Sequence, residues 1–122
     1  MKNREIDSIL NYLWSIGFKA DFRTAFAAIA IIDCVNNGVK ACEEAAKKYP
    51  TIEQYGAKFY DGRFWIIHSL NEWHSLSFAP KTTLRRLLKR LDFENIVNRH
   101  VFDEQKHIVG YSLHDQIREY LK

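Results

Sequence analysis

Positive charge is concentrated in one short stretch of the 122-residue chain, residues 81–91. This stretch holds five lysines and arginines and no acidic residue, whereas the rest of the chain carries thirteen basic and fifteen acidic side chains. The net charge of +3 for the whole chain hides this local excess. A polyanionic partner needs such a local patch, not a high total charge. A helix that is simply exposed to solvent usually has acidic residues among its basic ones, which allows ion pairs along the helix. A stretch without acidic residues therefore indicates a binding surface.

The leucines of the same stretch predict a helix whose two sides differ. They repeat at i, i+3, i+4 and i+7, the spacing of one helix face, as Leu84, Leu87, Leu88 and Leu91. With the leucines turned inward, a basic and polar face points outward. Arginine can pair with O6 and N7 of guanine, and lysine neutralises phosphates. We therefore predict a DNA recognition helix over about residues 80–91. Its candidate contact residues are Lys81, Thr82, Arg85, Arg86, Lys89 and Arg90.

A β-hairpin is predicted to follow this helix. Residues 96–102 and 107–113 are two β-prone runs, and the polar residues 103–106 between them suit a turn. Basic side chains in such a hairpin could contact the DNA backbone or the minor groove. The candidates are Arg99 and Lys106, together with His100 and His107.

The other residues that could do chemistry favour simpler interpretations. His100, His107 and His114 recur every seven residues, but they span the predicted hairpin and a following helix, and no zinc-binding motif is present. Carboxylate pairs are adjacent in sequence and therefore point in different directions on a helix. Cys34 and Cys42 fall inside helical patterns and fit as reduced core thiols. We expect no metal, no cofactor and no enzymatic activity.

Aromatic side chains offer a second possible contact with nucleic acid. They could stack on single-stranded bases, but their places next to the predicted helices and strand favour packing roles instead. The residues concerned are Tyr60, Trp65, Trp73 and Phe78.

The elements before the basic stretch are mostly helical. Apolar spacing and caps predict helices over about residues 4–16, from Asp21 to Gly38, over 39–49, and over 52–58. The Asp61-Gly62 turn then precedes a strand over 63–67, and Ser69 can cap a short helix through Trp73. A tight connection containing Pro80 leads into the basic helix, and a last short helix is predicted over 114–122.

A short helix, a tight turn, a basic helix and a β-hairpin follow each other in the order of a winged helix-turn-helix. The predicted fold class is therefore mainly α with a small β-hairpin wing, preceded by an N-terminal helical extension. We expect one domain over residues 1–122, with a helical part over 1–58, the winged helix-turn-helix over 61–113 and a C-terminal helix over 114–122.

Residues 61–113 also resemble the winged-helix domains of phage replisome-organiser and plasmid replication-initiator proteins. The resemblance rests on Trp65 in the first strand, Glu72-Trp73 in the serine-started helix, Phe78, the Thr82–Arg86 segment and Tyr111 in the last strand. It implies binding of double-stranded DNA. A weaker resemblance, over residues 6–75, is to the DNA-binding domain of sporulation response regulators. That one would place the helix-turn-helix at 51–74, where residues 64–67 need burial more than access to a groove.

Two classes of function remain open from the sequence. The first is a DNA-binding protein, either a transcription regulator or an accessory factor in phage or plasmid replication or transfer. The second is a winged-helix module that docks on another protein through the apolar helix 22–36, with the basic face meeting an acidic partner. The same N-terminal helices are a possible homodimer contact. The longest apolar run, residues 25–32, is far short of the roughly 20 residues of a membrane span, so we expect a cytoplasmic protein without membrane contact.

Overall fold

The computed structural model describes residues 3–48 and 56–122. The chain is mainly helical with one small antiparallel sheet of four strands. In chain order the elements are α1 (Asn3–Ser15), α2 (Phe22–Lys48), β1 (Ala57–Tyr60), β2 (Arg63–Ile67), α3 (Leu70–Ser77), α4 (Lys81–Phe93), β3 (Val97–Asp103), β4 (Ile108–Leu113) and α5 (Asp115–Tyr120). The expected mainly helical class with a β-hairpin near the C-terminus is confirmed at this level.

Helix α2 is one continuous helix, so the predicted break at residues 36–38 is wrong. Asp21 does cap it, because its Oδ1 accepts a hydrogen bond from the backbone N–H of Thr24 at 2.8 Å. Gly38 does not end the helix. It lets Ile66 of β2 pack closely, since a Cβ on Gly38 would lie 2.8 Å from Cδ1 of Ile66. The predicted end of this segment, at Tyr49, lies outside the described residues.

Strand β1 is absent from the sequence-based prediction, which placed a helix over 52–58. Residues 52–55 lie outside the described part of the chain, and residues 57–58 belong to β1, so the helix is wrong there. The Asp61-Gly62 turn explains the difference. Both residues have positive φ, 51° and 75°, and they join Tyr60 to its partner Arg63 as a two-residue hairpin turn.

The sheet has the strand order β1-β2-β4-β3, with all neighbours antiparallel. Strand β2 therefore pairs with β4, the second strand of the C-terminal hairpin, and not with β3. Ile66 lies opposite Tyr111, and Val97 of β3 lies opposite Leu113. This pairing brings the segment before α3 beside the hairpin that follows α4.

The hydrophobic core lies between the helices and one face of this sheet. Helix α2 supplies its largest share, with Ala28, Ile31, Ile32 and Val35 among its buried residues. Within the described residues, α2 is the one helix long and apolar enough to cross a membrane by length and composition, and 56% of its most apolar stretch is buried inside the protein. Trp73 of α3 also lies in the core and is only 1% exposed.

The opposite face of the sheet carries a small aromatic cluster. Trp65 is buried there and not in the main core, because Ile66, the next residue along β2, takes the core-facing position. Tyr60 stacks on His100 with a centroid distance of 4.7 Å, and Phe102 lies against both Trp65 and His100. The packing role predicted for Phe78 is wrong, since that side chain is 82% exposed.

Candidate nucleic-acid interface

The start of α4 is fixed by a tight turn after α3. Ser69 and Glu72 form a reciprocal capping box at the N-terminus of α3. At the other end, Phe78 adopts the left-handed conformation, with φ of 59°, and its N–H donates to the carbonyl of His74 at 2.8 Å. Pro80 then precedes the first residue of α4, where its missing N–H costs nothing. The chain thus turns within three residues and holds α3 and α4 in contact.

The leucine stripe anchors α4 in the core, as its spacing predicts. Leu84, Leu87, Leu88 and Leu91 are all buried. The opposite side of the helix is solvent-exposed. It presents Lys81, Thr82, Arg85, Arg86 and Lys89. The predicted rotation of the helix is therefore confirmed.

Arg90 is the candidate on this helix that is engaged elsewhere. Its guanidinium carbon lies 3.9 Å from the ring centroid of Phe18, in the segment between α1 and α2. Its Nε donates to Oε2 of Glu94 at 2.5 Å. A cation held between an aromatic ring and a carboxylate fastens the end of α4 to the N-terminal helices. The other basic side chains of α4 are left to face solvent.

A cleft of about 390 Å³ lies between α4, the start of α3 and the C-terminal hairpin. Four of the predicted contact residues line it: Arg85 and Lys89 from α4, Arg99 from β3, and His107 from the hairpin turn. These residues are far apart in sequence, and the pairing of β3 with β4 beside α4 brings them together. Three cationic side chains around one concave surface concentrate positive potential there, which is the electrostatic condition for binding an anion.

Arg99 is held at the wall of this cleft by its neighbours. Its backbone N–H donates to Oδ1 of Asp92 at 3.2 Å, which ties β3 to the end of α4. Its side chain lies by the hydroxyl of Tyr111, another lining residue. Burial raises the pKa of Tyr111, while the hydrogen bond and charge of Arg99 oppose that rise. The tyrosine hydroxyl therefore stays neutral at physiological pH, where it can donate to an anion.

The tip of the hairpin is electrically mixed. Lys106 is exposed, and its backbone N–H donates to Oδ1 of Asp103 at 3.0 Å in the turn. Asp103, the last residue of β3, and Glu104, in the turn itself, offset the charge of Lys106 locally. His107 has a positive φ of 55° and its side chain reaches the wall of the cleft. His100, another hairpin candidate, points away from the cleft into the aromatic cluster around Tyr60.

His68 and Tyr111 also line this cleft, although neither is among the residues predicted to contact DNA. The signal for Tyr111 is the period of two along β4, which puts it on the same face as Val109. His68 could not be found in this way, because it follows the last residue of β2 and its position depends on the pairing of β2 with β4. Within residues 3–48 and 56–122, no group of three or more His, Cys, Asp or Glu residues could hold a metal ion.

Comparisons of the chain with protein-family models, with curated proteins and with solved structures found no match.

Proposed function

We propose that this protein is a winged helix-turn-helix protein that binds double-stranded DNA. The order of elements supports this proposal: α3, a tight turn, α4, and then the β3–β4 hairpin as the wing. Strand β2 precedes α3 and pairs with β4, the second strand of that hairpin. The strand before the helix pair and the hairpin after it therefore belong to one sheet. In this arrangement α4 is the recognition helix.

The observation that carries the proposal is the convergence of Arg85, Lys89 and Arg99 on one cleft. A DNA duplex lying over α4 would bring the phosphate backbone of one DNA strand between the helix and the wing, where these cations lie. Phosphate contacts of this kind supply most of the affinity of non-specific binding and hold the protein in register on the duplex.

Base reading falls to the outward face of α4 in this proposal. Lys81, Thr82 and Arg86 are exposed there, opposite the buried leucines. An arginine at the middle of a recognition helix can donate two hydrogen bonds to a guanine in the major groove. Arg86 is thus the specificity residue, while Arg85, Lys89, Arg99 and Lys106 bind the backbone.

We propose the role of a transcription regulator or of an accessory factor in phage or plasmid replication or transfer, acting in the cytoplasm and without enzymatic activity. A homodimer through the N-terminal helices is part of this proposal. It is supported by large apolar side chains left exposed at the junction of α1 and α2, notably Trp14 at 78% and Phe22 at 84%. Exposed apolar patches of this kind mark interaction surfaces.

The test is binding to fluorescent duplex DNA as a function of salt, measured by anisotropy. Affinity should fall steeply as salt rises, with a log–log slope of about −0.9 per phosphate contact. A variant with Arg85, Lys89 and Arg99 all changed to alanine should lose about three such contacts. Lys47→Ala is the matched control, because Lys47 is an exposed cation at the far end of α2 whose partner is Glu44.

Two results would overturn the proposal. One is the absence of duplex binding at low salt, and the other is an equal effect of the control and the triple variant. Either result would favour the alternative, a winged-helix module that docks on an acidic protein.

A further inference from the structure

A cysteine, a histidine and a glutamate lie in contact, one after the other, at the junction of α2 and α3. Sγ of Cys34, on α2, lies 3.6 Å from Nε2 of His68, which follows β2. The other ring nitrogen, Nδ1, lies 3.0 Å from Oε2 of Glu72, on α3. A nucleophile, a base and a group that orients the base are thus in contact in that order.

The imidazole of His68 is held in this position from two sides. Glu72 is fixed by the capping box, since its Oε1 accepts from the backbone N–H of Ser69 at 3.0 Å. The ring of Trp73 meets the His68 ring edge to face at 4.8 Å. The hydrogen bonds from Ser69 lower the pKa of Glu72, and His68 lowers it further. The carboxylate is therefore charged at neutral pH and can accept a hydrogen bond from Nδ1–H of His68, a tautomer that leaves Nε2 facing the sulfur as the acceptor.

A cavity of about 400 Å³ opens beside the sulfur. Its wall combines the three aligned groups with two small polar side chains and one apolar side chain. The lining residues are Cys34, His68, Asn71, Glu72, Ser75 and Leu76. Cys34 is half-buried and lines this open cavity, through which a small molecule would approach its thiol. Cys42, the other cysteine, is buried in the core, which makes it an internal reference for reactivity.

We propose that Cys34 is a modification site at which small disulfides form a mixed disulfide with the protein. His68 is the proton acceptor and Glu72 is a positioning residue. Sγ attacks one sulfur of the incoming disulfide, so the new S–S bond forms as the old one breaks. The thiol proton moves to Nε2 of His68 and then to the departing thiolate, which leaves as a free thiol. The incoming disulfide is the oxidant.

The base is needed because the thiol is otherwise unreactive at neutral pH. Burial and the negative charges of Asp33 and Glu72 raise the pKa of Cys34 to about 11. Without a proton acceptor, the thiolate fraction then grows about tenfold for each pH unit up to that value. With His68 in contact, the proton has a nearby acceptor, and the resulting imidazolium is stabilised by Glu72.

The experiment measures the rate of reaction with 2,2′-dithiodipyridine between about pH 6 and about pH 9, in a Cys42→Ala background. One equivalent of thione should be released, and mass spectrometry should place the adduct on Cys34. His68→Gln should slow the reaction about 100-fold near neutrality. The rate for His68→Gln should rise about tenfold per pH unit, whereas the rate for the background protein should rise less steeply, because His68 accepts the thiol proton. Thermal unfolding of each variant verifies that it is folded.

Glu72→Gln distinguishes two effects of Glu72: its orientation of the His68 ring, and the effect of its negative charge on the Cys34 thiol. Glutamine still suits the capping box, so α3 keeps its start. Removing the negative charge alone would lower the pKa of the thiol and speed the reaction. Loss of positioning slows it, which is the result expected.

Three results would overturn the proposal. The first is a rate for His68→Gln equal to that of the background protein at every pH. The second, which needs no variant at His68, is a background rate that rises tenfold per pH unit through neutrality. The third is a labelling rate for Cys34 no higher than the labelling rate of the buried Cys42, measured in a Cys34→Ala protein. Equal rates would mean that both cysteines react only when the protein unfolds.

Discussion

The two faces of the sheet are formed by the same strands but have different roles. The face towards the helices carries Val97, Tyr111 and Leu113 into the main core and ends at the basic cleft, where Arg99 lies. The other face lies away from the main core. It is closed by aromatic rings, with Tyr60 stacked on His100.

This difference shows that two adjacent residues of a strand can have unrelated roles, because their side chains point to opposite faces of the sheet. Arg99 and His100 are adjacent, and both are basic candidates for a wing that binds DNA. Because successive side chains in a strand point to opposite faces, only one of them can face α4. Arg99 has that position and lines the cleft, whereas His100 packs among aromatic rings.

The largest expected effect is on the helix-facing side, where Leu87→Ala removes a side chain that is 2% exposed. The loss of burial and the cavity left behind should lower the free energy of unfolding by about 2–5 kcal/mol. Urea unfolding measures this change in the free energy of unfolding. Arg86→Ala, one residue earlier on the exposed side, should change stability by less than about 0.5 kcal/mol. A neutral Leu87→Ala beside a destabilising Arg86→Ala would show that α4 is rotated.

The aromatic face is tested by Gly110→Ala. A Cβ at this position would lie 2.6 Å from Cε2 of Phe102 and 2.9 Å from Cβ of Trp65. The Trp65 Cβ is bound to the backbone and cannot move away, so overpacking should cost about 1–3 kcal/mol in urea unfolding.

Gly38→Ala is the comparison for that variant. Its Cβ would meet Cδ1 of Ile66, the far end of a side chain and not a backbone-bound atom, and alanine favours a helix over glycine by about 1 kcal/mol. The net change should therefore be the smaller of the two. An equal cost for both variants would mean that the aromatic face is no more tightly packed than the α2 surface.

The sequence was sufficient for most elements, because their signals are local. The leucine spacing of α4, the Ser69 cap and the turn at 103–106 each depend on a few neighbouring residues. The continuity of α2 through Gly38 could not be predicted, since glycine after asparagine is also a usual signal for the end of a helix. The pairing of β2 with β4 is non-local and could not be predicted either. The basic helix was therefore predicted, while the cleft that joins Arg85 to Arg99 was not.

The next prediction concerns base reading by α4. If Arg86 pairs with a guanine, Arg86→Ala should cost about 1–3 kcal/mol on the preferred site and much less on random DNA. Site selection from a randomised duplex library, with the parent and the variant side by side, measures both. An unchanged motif with unchanged affinity would remove Arg86 from the recognition surface.

The smallest expected effects come from the neighbours Arg99 and His100, and they separate the two faces most sharply. Arg99→Ala should remove one phosphate contact, so it should weaken binding to all sequences alike and reduce the salt slope by about one. His100→Ala should leave the slope unchanged, because its ring is turned to Tyr60 and Phe102. It should instead cost about 0.5–1.5 kcal/mol of stability through the lost aromatic pairs. The two measurements, anisotropy against salt and urea unfolding, are made on both variants. If His100→Ala changes the slope and Arg99→Ala does not, the DNA-contacting face of the hairpin is the aromatic one, and the cleft beside α4 serves another anion.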